Sequence, residues 1–511
     1  MPRRNHFVAP EEPELLARDM WHSSAACETT LSRTNADAMR SDLASNPASP
    51  IDDLLGEARD LSTRYIASLA ERFVGSRADY AALVEGLGGS AGLPQAAQDA
   101  RGVIRALSQA VEPGLVATAG PRYFGLVIGG ALPVAIAADW LTSAWDQHAS
   151  FFATSPAAAA VEEVVRRWLV ELLGLAPDVS FGIVTGATMA NFTCLAAARH
   201  AVLAMAGWNV EDRGLNAAPA VALITSDESH ATIFAALQML GMGRACVTRI
   251  PTDRQGRMRL DELRAVVTRV ETPFIVCAQA GNVNTGSFDP IADAAAVVHE
   301  RGGWLHVDGA FGAWAAASSR HRHLATGLER ADSLSLDAHK WLNVPYDCGF
   351  ALTRHPDAHR AAMMLEASYY APSVGAARDS QQFVPESSRR ARGFTVYAAL
   401  RSLGGAGIEQ LVDHCCALAR RMADRLQSSG RARVLNDVVL NQVLVQFSAG
   451  DATADVATAR VIQRVQNDGV CWAGGSDWHG RHVMRISISN WSTTDADIDR
   501  SAEAILRACE S

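Results

Sequence analysis

Four places in the chain carry side chains whose types and spacing could do chemistry together. Lys340 lies in "SLDAHKWLNVP" (335–345), between a histidine and a tryptophan and just past the apolar run "DSLSL". A lysine drawn into a partly dry pocket is a nucleophile toward carbonyls, whereas at a surface it pairs with a carboxylate. Asp308, in "WLHVDGAFGAW" (304–314), stands at the mouth of another apolar run and is followed by small Gly309 and Ala310. A carboxylate buried there needs a cation, and its small neighbours let something flat approach the backbone; a structural salt bridge or a helix cap would use the same residue. His230, in "ITSDESHATIF" (224–234), sits at a helix start, where it could cap the helix or lay a flat imidazole on an aromatic ligand. The stretch "FGIVTGATMAN" (181–191) reads as strand, small-residue turn and helix start. Its Gly186, Ala187 and Thr188 could offer N–H groups and a hydroxyl to an anion, or form an ordinary strand-to-helix turn.

Each signal is ambiguous by itself, but the set matches one cofactor, pyridoxal 5'-phosphate. Its phosphate suits the helix N-terminus, its ring the histidine face, its pyridinium N–H the aspartate and its aldehyde the lysine.

The elements that must position these residues alternate. Short runs rich in Val and Ile ("FGIVT", "AVALITS", "RACVTRI", "FIVCAQAG", "GWLHVDG") are separated by helical stretches such as "MANFTCLAAARHAVLAMAG" and "IADAAAVVHERG". This pattern predicts an α/β fold, a mainly parallel sheet with helices on both faces and ligands at the carboxyl ends of the strands. The segment "VEEVVRRWLVELLG" (161–174) predicts an amphipathic helix with Glu162–Arg166 and Glu163–Arg167 pairs. We read residues 1–48 as a loose arm, 49–118 as a helical segment, 119–385 as the large ligand-binding domain and 386–511 as a smaller α+β domain.

The chain has 511 residues, enough for a large core, and a net charge of −9, which argues against a nucleic-acid footprint. Its most apolar run, "LVIGGALPVAIAADW" (126–140), is too short to span a bilayer, and the N-terminus lacks an apolar signal region. Nine scattered cysteines with no CxxC fit reduced thiols in a cytoplasmic protein rather than disulfides or a metal framework.

From about Gly120 onward the chain resembles the group II pyridoxal-phosphate decarboxylases, the aromatic amino acid and glutamate decarboxylases among them. The resemblance rests on "PRYFG", "TGATMAN", "SHAT", "AGNVNTGSFDP", "HVDGAFGAW", "ADSLSLDAHKWLNVPYDCG", "SRRARG" and "MRISISNW". It implies a fold-type I homodimer with a seven-stranded large-domain sheet and the active site at the subunit interface. It also implies that Lys340 carries the cofactor as a Schiff base, that Asp308 keeps the pyridine nitrogen protonated, and that Ala310 and His230 pack on opposite ring faces. Gly186, Ala187, Thr188 and His339 would surround the phosphate, with Asp337 nearby. Asn282 falls where many relatives carry a threonine, in place to meet the ring hydroxyl. Arg485 would pair with the substrate α-carboxylate, and Tyr123 and Phe124 would line the side-chain pocket. Tyr369 falls on a covering loop at the family's proton-donating tyrosine, with Tyr370 competing for that place. The implied activity is decarboxylation of an aromatic or other bulky L-amino acid. Transamination, aldehyde formation and carbon–carbon cleavage use the same platform, and a non-catalytic cofactor-binding protein could share its fold.

Overall fold

The computed structural model describes residues 49–365, 378–448 and 453–510. Two compact units emerge. Of the described residues the smaller comprises 49–64 together with 91–109; in it Arg105 and Arg101 both reach Glu57, at 2.6 and 3.2 Å, and Arg105 above all holds that carboxyl down at about 2.

The larger unit holds residues 65–90 and 110 onward, and its centre is a seven-stranded sheet of order β1-β7-β6-β5-β4-β2-β3. The strands are β1 (Ser180–Val184), β2 (Ala222–Ser226), β3 (Val247–Ile250), β4 (Phe274–Gln279), β5 (Trp304–Asp308), β6 (Ser333–Asp337) and β7 (Gly349–Thr353). All pairings among β2 to β6 are parallel, and only β7 runs antiparallel to its neighbours β1 and β6. Every residue of β4, β5 and β6 is buried, because helices cover both faces. Alternation along β4 sends Phe274, Val276 and Ala278 into one core and Ile275 and Cys277 into the other. This arrangement gives the expected α/β class.

A second, antiparallel sheet of order β10-β11-β9-β8 follows, from β8 (Ala432–Val434), β9 (Gln442–Phe447), β10 (Gly474–Trp478) and β11 (Arg481–Ser487). The long helix Gly393–Ser428 leads into it and breaks at Gly404, whose φ of 59° an L side chain rarely adopts.

The helix Pro156–Leu172 departs from the expected charge pattern. Glu163 takes both arginines, Arg166 at 2.9 Å and Arg167 at 2.8 Å. Glu162 is not paired with Arg166; it is buried against Arg389 at 2.8 Å and accepts from the Ser380 hydroxyl at 2.6 Å. Arg389 also donates to the carbonyls of Ala149 and Ile183, which ties β1 to the chain beneath it. Breaking such a buried pair leaves an uncompensated charge, so Glu162→Gln should cost about 3–5 kcal/mol and lower the urea midpoint. An unchanged midpoint would contradict the role given to this pair.

Two buried histidines make the fold sensitive to acid. Burial pushes the His306 imidazole down to about 4 and that of His359 down to about 3; His359 hydrogen-bonds Ser180 at 2.6 Å. Unfolded, both titrate near pH 6.5. Stability from their neutral forms is therefore complete above about pH 6.5 and is lost as pH falls toward their folded values. Urea midpoints measured from pH 7.5 to pH 4.5 should fall, and His306→Gln should make the fall shallower. Equal pH dependence in the two proteins would contradict this assignment.

Candidate active site

The cavity at the carboxyl ends of the strands has a volume of about 370 Å³ and collects residues from five of them. Thr185–Thr188 follow β1, His230 and Thr232 follow β2, Gln279 ends β4, Asp308 ends β5, and Asp337, His339 and Lys340 end or follow β6.

What holds Lys340 is a set of local constraints. Its ammonium meets Asp337 Oδ2 at 2.8 Å. Asp337 Oδ1 in turn accepts from the Ala187 N–H at 2.6 Å, so one nearly inaccessible carboxylate joins the lysine to the head of the helix Ala187–Met205. Behind the lysine the chain turns sharply at Asn343, with φ of 55°, a conformation asparagine tolerates better than most residues. The Asn343 side chain accepts from Gly130 and Trp491 N–H groups and donates to the carbonyls of Trp341 and Ser489. The Lys340 carbonyl packs so closely on Gly129 that any Cβ there would collide with it.

Asp308 is 7% exposed and makes no salt bridge among the described residues. It accepts from Asn191 Nδ2 at 3.1 Å, the Ala310 N–H at 3.1 Å and the Ser335 hydroxyl at 3.4 Å. Asn191 Oδ1 lies 2.9 Å from His306 Nε2, and Ser333 Oγ lies 2.9 Å from both His306 Nδ1 and Trp304 Nε1. Because the indole can only donate, the Ser333 hydroxyl gives its proton to Nδ1, and a neutral His306 carries its own on Nε2. The chain of hydrogen bonds thus leaves the Asn191 amide with its N–H₂ aimed at Asp308.

His230 caps the helix Ala231–Met239; its Nδ1 meets the Thr232 hydroxyl at 2.8 Å, and its ring borders the cavity. Desolvation lowers its pKa, with Asp308 opposing that shift and Lys340 adding to it. His339 accepts the Cys348 N–H on Nδ1 at 3.1 Å, stacks on Tyr346 at 4.3 Å and is also pushed down by burial.

Of the residues expected from the sequence, Gly186, Ala187, Thr188, His230, Asp308, Ala310, Asp337, His339 and Lys340 all line this one cavity. Asn282 does not: it is fully buried, donates to Glu228 Oε2 at 3.0 Å, and accepts from the N–H groups of Asn284 and Thr285. The wall there is Val283. Phe124 is a core residue, 1% exposed, outside the lining. Tyr123 is buried with its ring stacked on Trp472 at 5.0 Å. Arg485 donates to the Val283 carbonyl at 3.0 Å from β11, just behind the wall, and has no carboxylate partner among the described residues. Tyr369 and Tyr370 lie outside the described residues. Sequence reasoning missed Gln279, Val283 and Tyr346; for Gln279 the available signal was a polar residue closing the otherwise apolar run "FIVCAQ".

These residues fit pyridoxal 5'-phosphate. A buried carboxylate without a cation matches a pyridinium. A helix N-terminus matches a phosphate, and the lysine matches an aldehyde. At Gly186 an added Cβ would stand 3.0 Å from the His339 ring and 3.3 Å from Asp337 Oδ1, so glycine keeps the turn uncrowded.

The comparisons with known proteins agree. Residues 89–449 match the model of the pyridoxal-dependent decarboxylase conserved domain. The aromatic-L-amino-acid decarboxylase of Bacillus atrophaeus is 27% identical over 418 residues, covering 80% of this chain and 85% of that protein. The L-2,4-diaminobutyrate decarboxylase of Rhizobium meliloti (strain 1021) is 29% identical over 382 residues, covering 73% and 74%. Among solved structures, that of Oryza sativa TDC with PLP and tryptamine has a TM-score of 0.83 at 24% identity, covering 94% of this chain and 99% of the other. Mouse CSAD has a TM-score of 0.84 at 23% identity, covering 91% and 99%. With the family model spanning most of the chain and the cavity carrying its chemistry, this protein belongs to the pyridoxal-dependent decarboxylases, carboxy-lyases that act on amino acids with pyridoxal 5'-phosphate.

Proposed function

We propose that the substrate is an aromatic or similarly bulky L-amino acid, bound by its α-carboxylate to Arg485 and converted to the amine and CO₂. The observation that carries this reading is Arg485 itself: a half-buried guanidinium beside the cavity wall, lacking a carboxylate partner among the described residues. The Tyr123–Trp472 stack close by supports a flat side chain, as do the relatives named aromatic-L-amino-acid decarboxylase and tryptophan decarboxylase.

When bound, the cofactor supplies a cationic conjugated ring that takes up the electron pair of the breaking Cα–carboxylate bond. In our reading the protein supplies everything else. Lys340 gives the amine that holds the cofactor, released from its pair with Asp337. Asp308 keeps the ring nitrogen protonated, and Asn191 keeps Asp308 oriented. His230 and Ala310 confine the ring between them. Thr188 and the helix N-terminus at Gly186–Ala187 take the phosphate, with His339 alongside. Arg485 would hold the substrate α-carboxylate, which would favour loss of that group over loss of the Cα proton. Tyr369, with Tyr370 as its rival, delivers the proton to Cα from the segment outside the described residues.

We also propose a cytoplasmic homodimer. Among the described residues no helix is long and apolar enough to cross a membrane. The helix Pro133–Trp145 exposes Trp140, Leu141 and Trp145 at 43%, 48% and 49%, a patch suited to a second copy of the chain.

Decarboxylation assays over aromatic, acidic and basic L-amino acids with added cofactor should give the highest kcat/KM for an aromatic one. Preference for glutamate, aspartate or diaminobutyrate would overturn the assignment. Lys340→Ala should abolish both turnover and the visible absorbance of the lysine-bound cofactor; full activity in that variant would overturn the mechanism. Arg485→Lys should raise KM about 10- to 100-fold while leaving cofactor affinity unchanged, since a bidentate charged contact is lost. An unchanged KM would remove Arg485 from the site.

A further inference from the structure

The geometry points to Gln279 as the residue that hydrogen-bonds the 3-hydroxyl oxygen of the cofactor, the place to which Asn282 had been assigned. This inference rests on the cofactor reading above. Gln279 is the last residue of β4 and pairs in register with Asp308, the last residue of β5. Residues in register on adjacent strands face the same side of the sheet, so the amide and the carboxylate stand next to each other on the cavity floor. Gln279 is 5% exposed, lines the cavity, and its Nε2 has no hydrogen-bond partner among the described residues. An idle buried amide nitrogen costs stability unless something meets it, and here the cavity is what lies beside it.

Strand order supplies the direction. The phosphate-binding turn follows β1, the lysine follows β6, Asp308 ends β5, and β4 lies beyond β5 on the side away from β1. In the cofactor, the phosphate-bearing arm and the 3-hydroxyl flank the aldehyde carbon on opposite sides. With the arm at the β1 side, the aldehyde at Lys340 and the ring nitrogen at Asp308, the hydroxyl faces β4. There the wall among the described residues is Gln279, Gly281 and Val283, and of these three only Gln279 has a side-chain donor. Asn282 is engaged by Glu228 and by its own turn. The two ends of an amide interchange by a flip of the terminal torsion, so Gln279 can present its N–H₂ to an oxygen that carries negative charge.

Two readouts test this apart from turnover. The first compares cofactor affinity of apoenzyme for pyridoxal 5'-phosphate and for its 3-deoxy analogue. Wild type should prefer the natural cofactor about tenfold, and Gln279→Leu should shrink that preference to about twofold or less. The second follows the absorbance of the Lys340-bound cofactor against pH. A donor to the ring oxygen stabilises the deprotonated Schiff base, whose phenolate has lost its internal partner. Gln279→Leu should therefore raise the pH midpoint by about one unit. Gln279→Glu keeps the size of the side chain but offers an acceptor near an anion, and should raise the midpoint at least as far. It also provides the test should the leucine variant misfold. An unchanged preference and an unchanged midpoint in the variants would overturn the assignment of Gln279 alone. Failure of wild type to bind either cofactor would overturn the cofactor reading itself.

Discussion

The site is organised around a buried carboxylate that no described side chain meets with a countercharge. Asp308, at the end of a fully buried strand, receives hydrogen bonds from Asn191, Ala310 and Ser335 but meets no Lys, Arg or His in a salt bridge among the described residues. Burying a carboxylate is costly unless it is both hydrogen-bonded and paired, and here the hydrogen bonds are present while the pairing is left to a cation in the cavity. Much of the surrounding core serves to keep this carboxylate in place and unpaired. Asn191 is held by His306 and by Thr232, His306 by Ser333, and Ser333 by Trp304, a line of polar groups joining β5 and β6 to two helices. An imidazole kept neutral by burial fits that line, because its single N–H fixes which way the Asn191 amide points.

The second constraint is distance from the backbone. The lysine is presented by a turn that depends on Asn343 in a left-handed conformation and on Gly129 lying against the Lys340 carbonyl. The ammonium is parked on Asp337, which also receives the first N–H of the phosphate-side helix. Lysine and phosphate turn are thereby registered to each other through one side chain, and β7, antiparallel between β1 and β6, sets their separation.

The parts of this site that were legible in the sequence are those tied to a periodic element. Lys340, Asp308, His230 and Gly186 each follow an apolar run, and a parallel sheet with helices on both faces leaves its strand ends as the one place for polar groups to converge. Positions set by packing between distant segments were not legible. Asn282 and Val283 are neighbours in a turn, and which of them faces the cavity depends on Glu228, 54 residues away, capturing the asparagine amide. Phe124 looks like a pocket aromatic in "PRYFG", yet backbone bonds to Trp472 and Ser487 turn it into the core. Glu162 has a good helical partner in Arg166, but Arg389, far along the chain, offers burial and two further carbonyl contacts. Helical spacing cannot foresee such competition.

The claim on which the rest turns is that Asp308 faces a protonated pyridine nitrogen. It is tested most directly by the ¹⁵N chemical shift of cofactor labelled at the ring nitrogen and bound to wild-type enzyme and to Asp308→Asn. The account predicts a pyridinium shift in wild type across neutral pH and a neutral-pyridine shift in the variant. A neutral ring nitrogen in wild type, or a pyridinium that persists without the carboxylate, would contradict it.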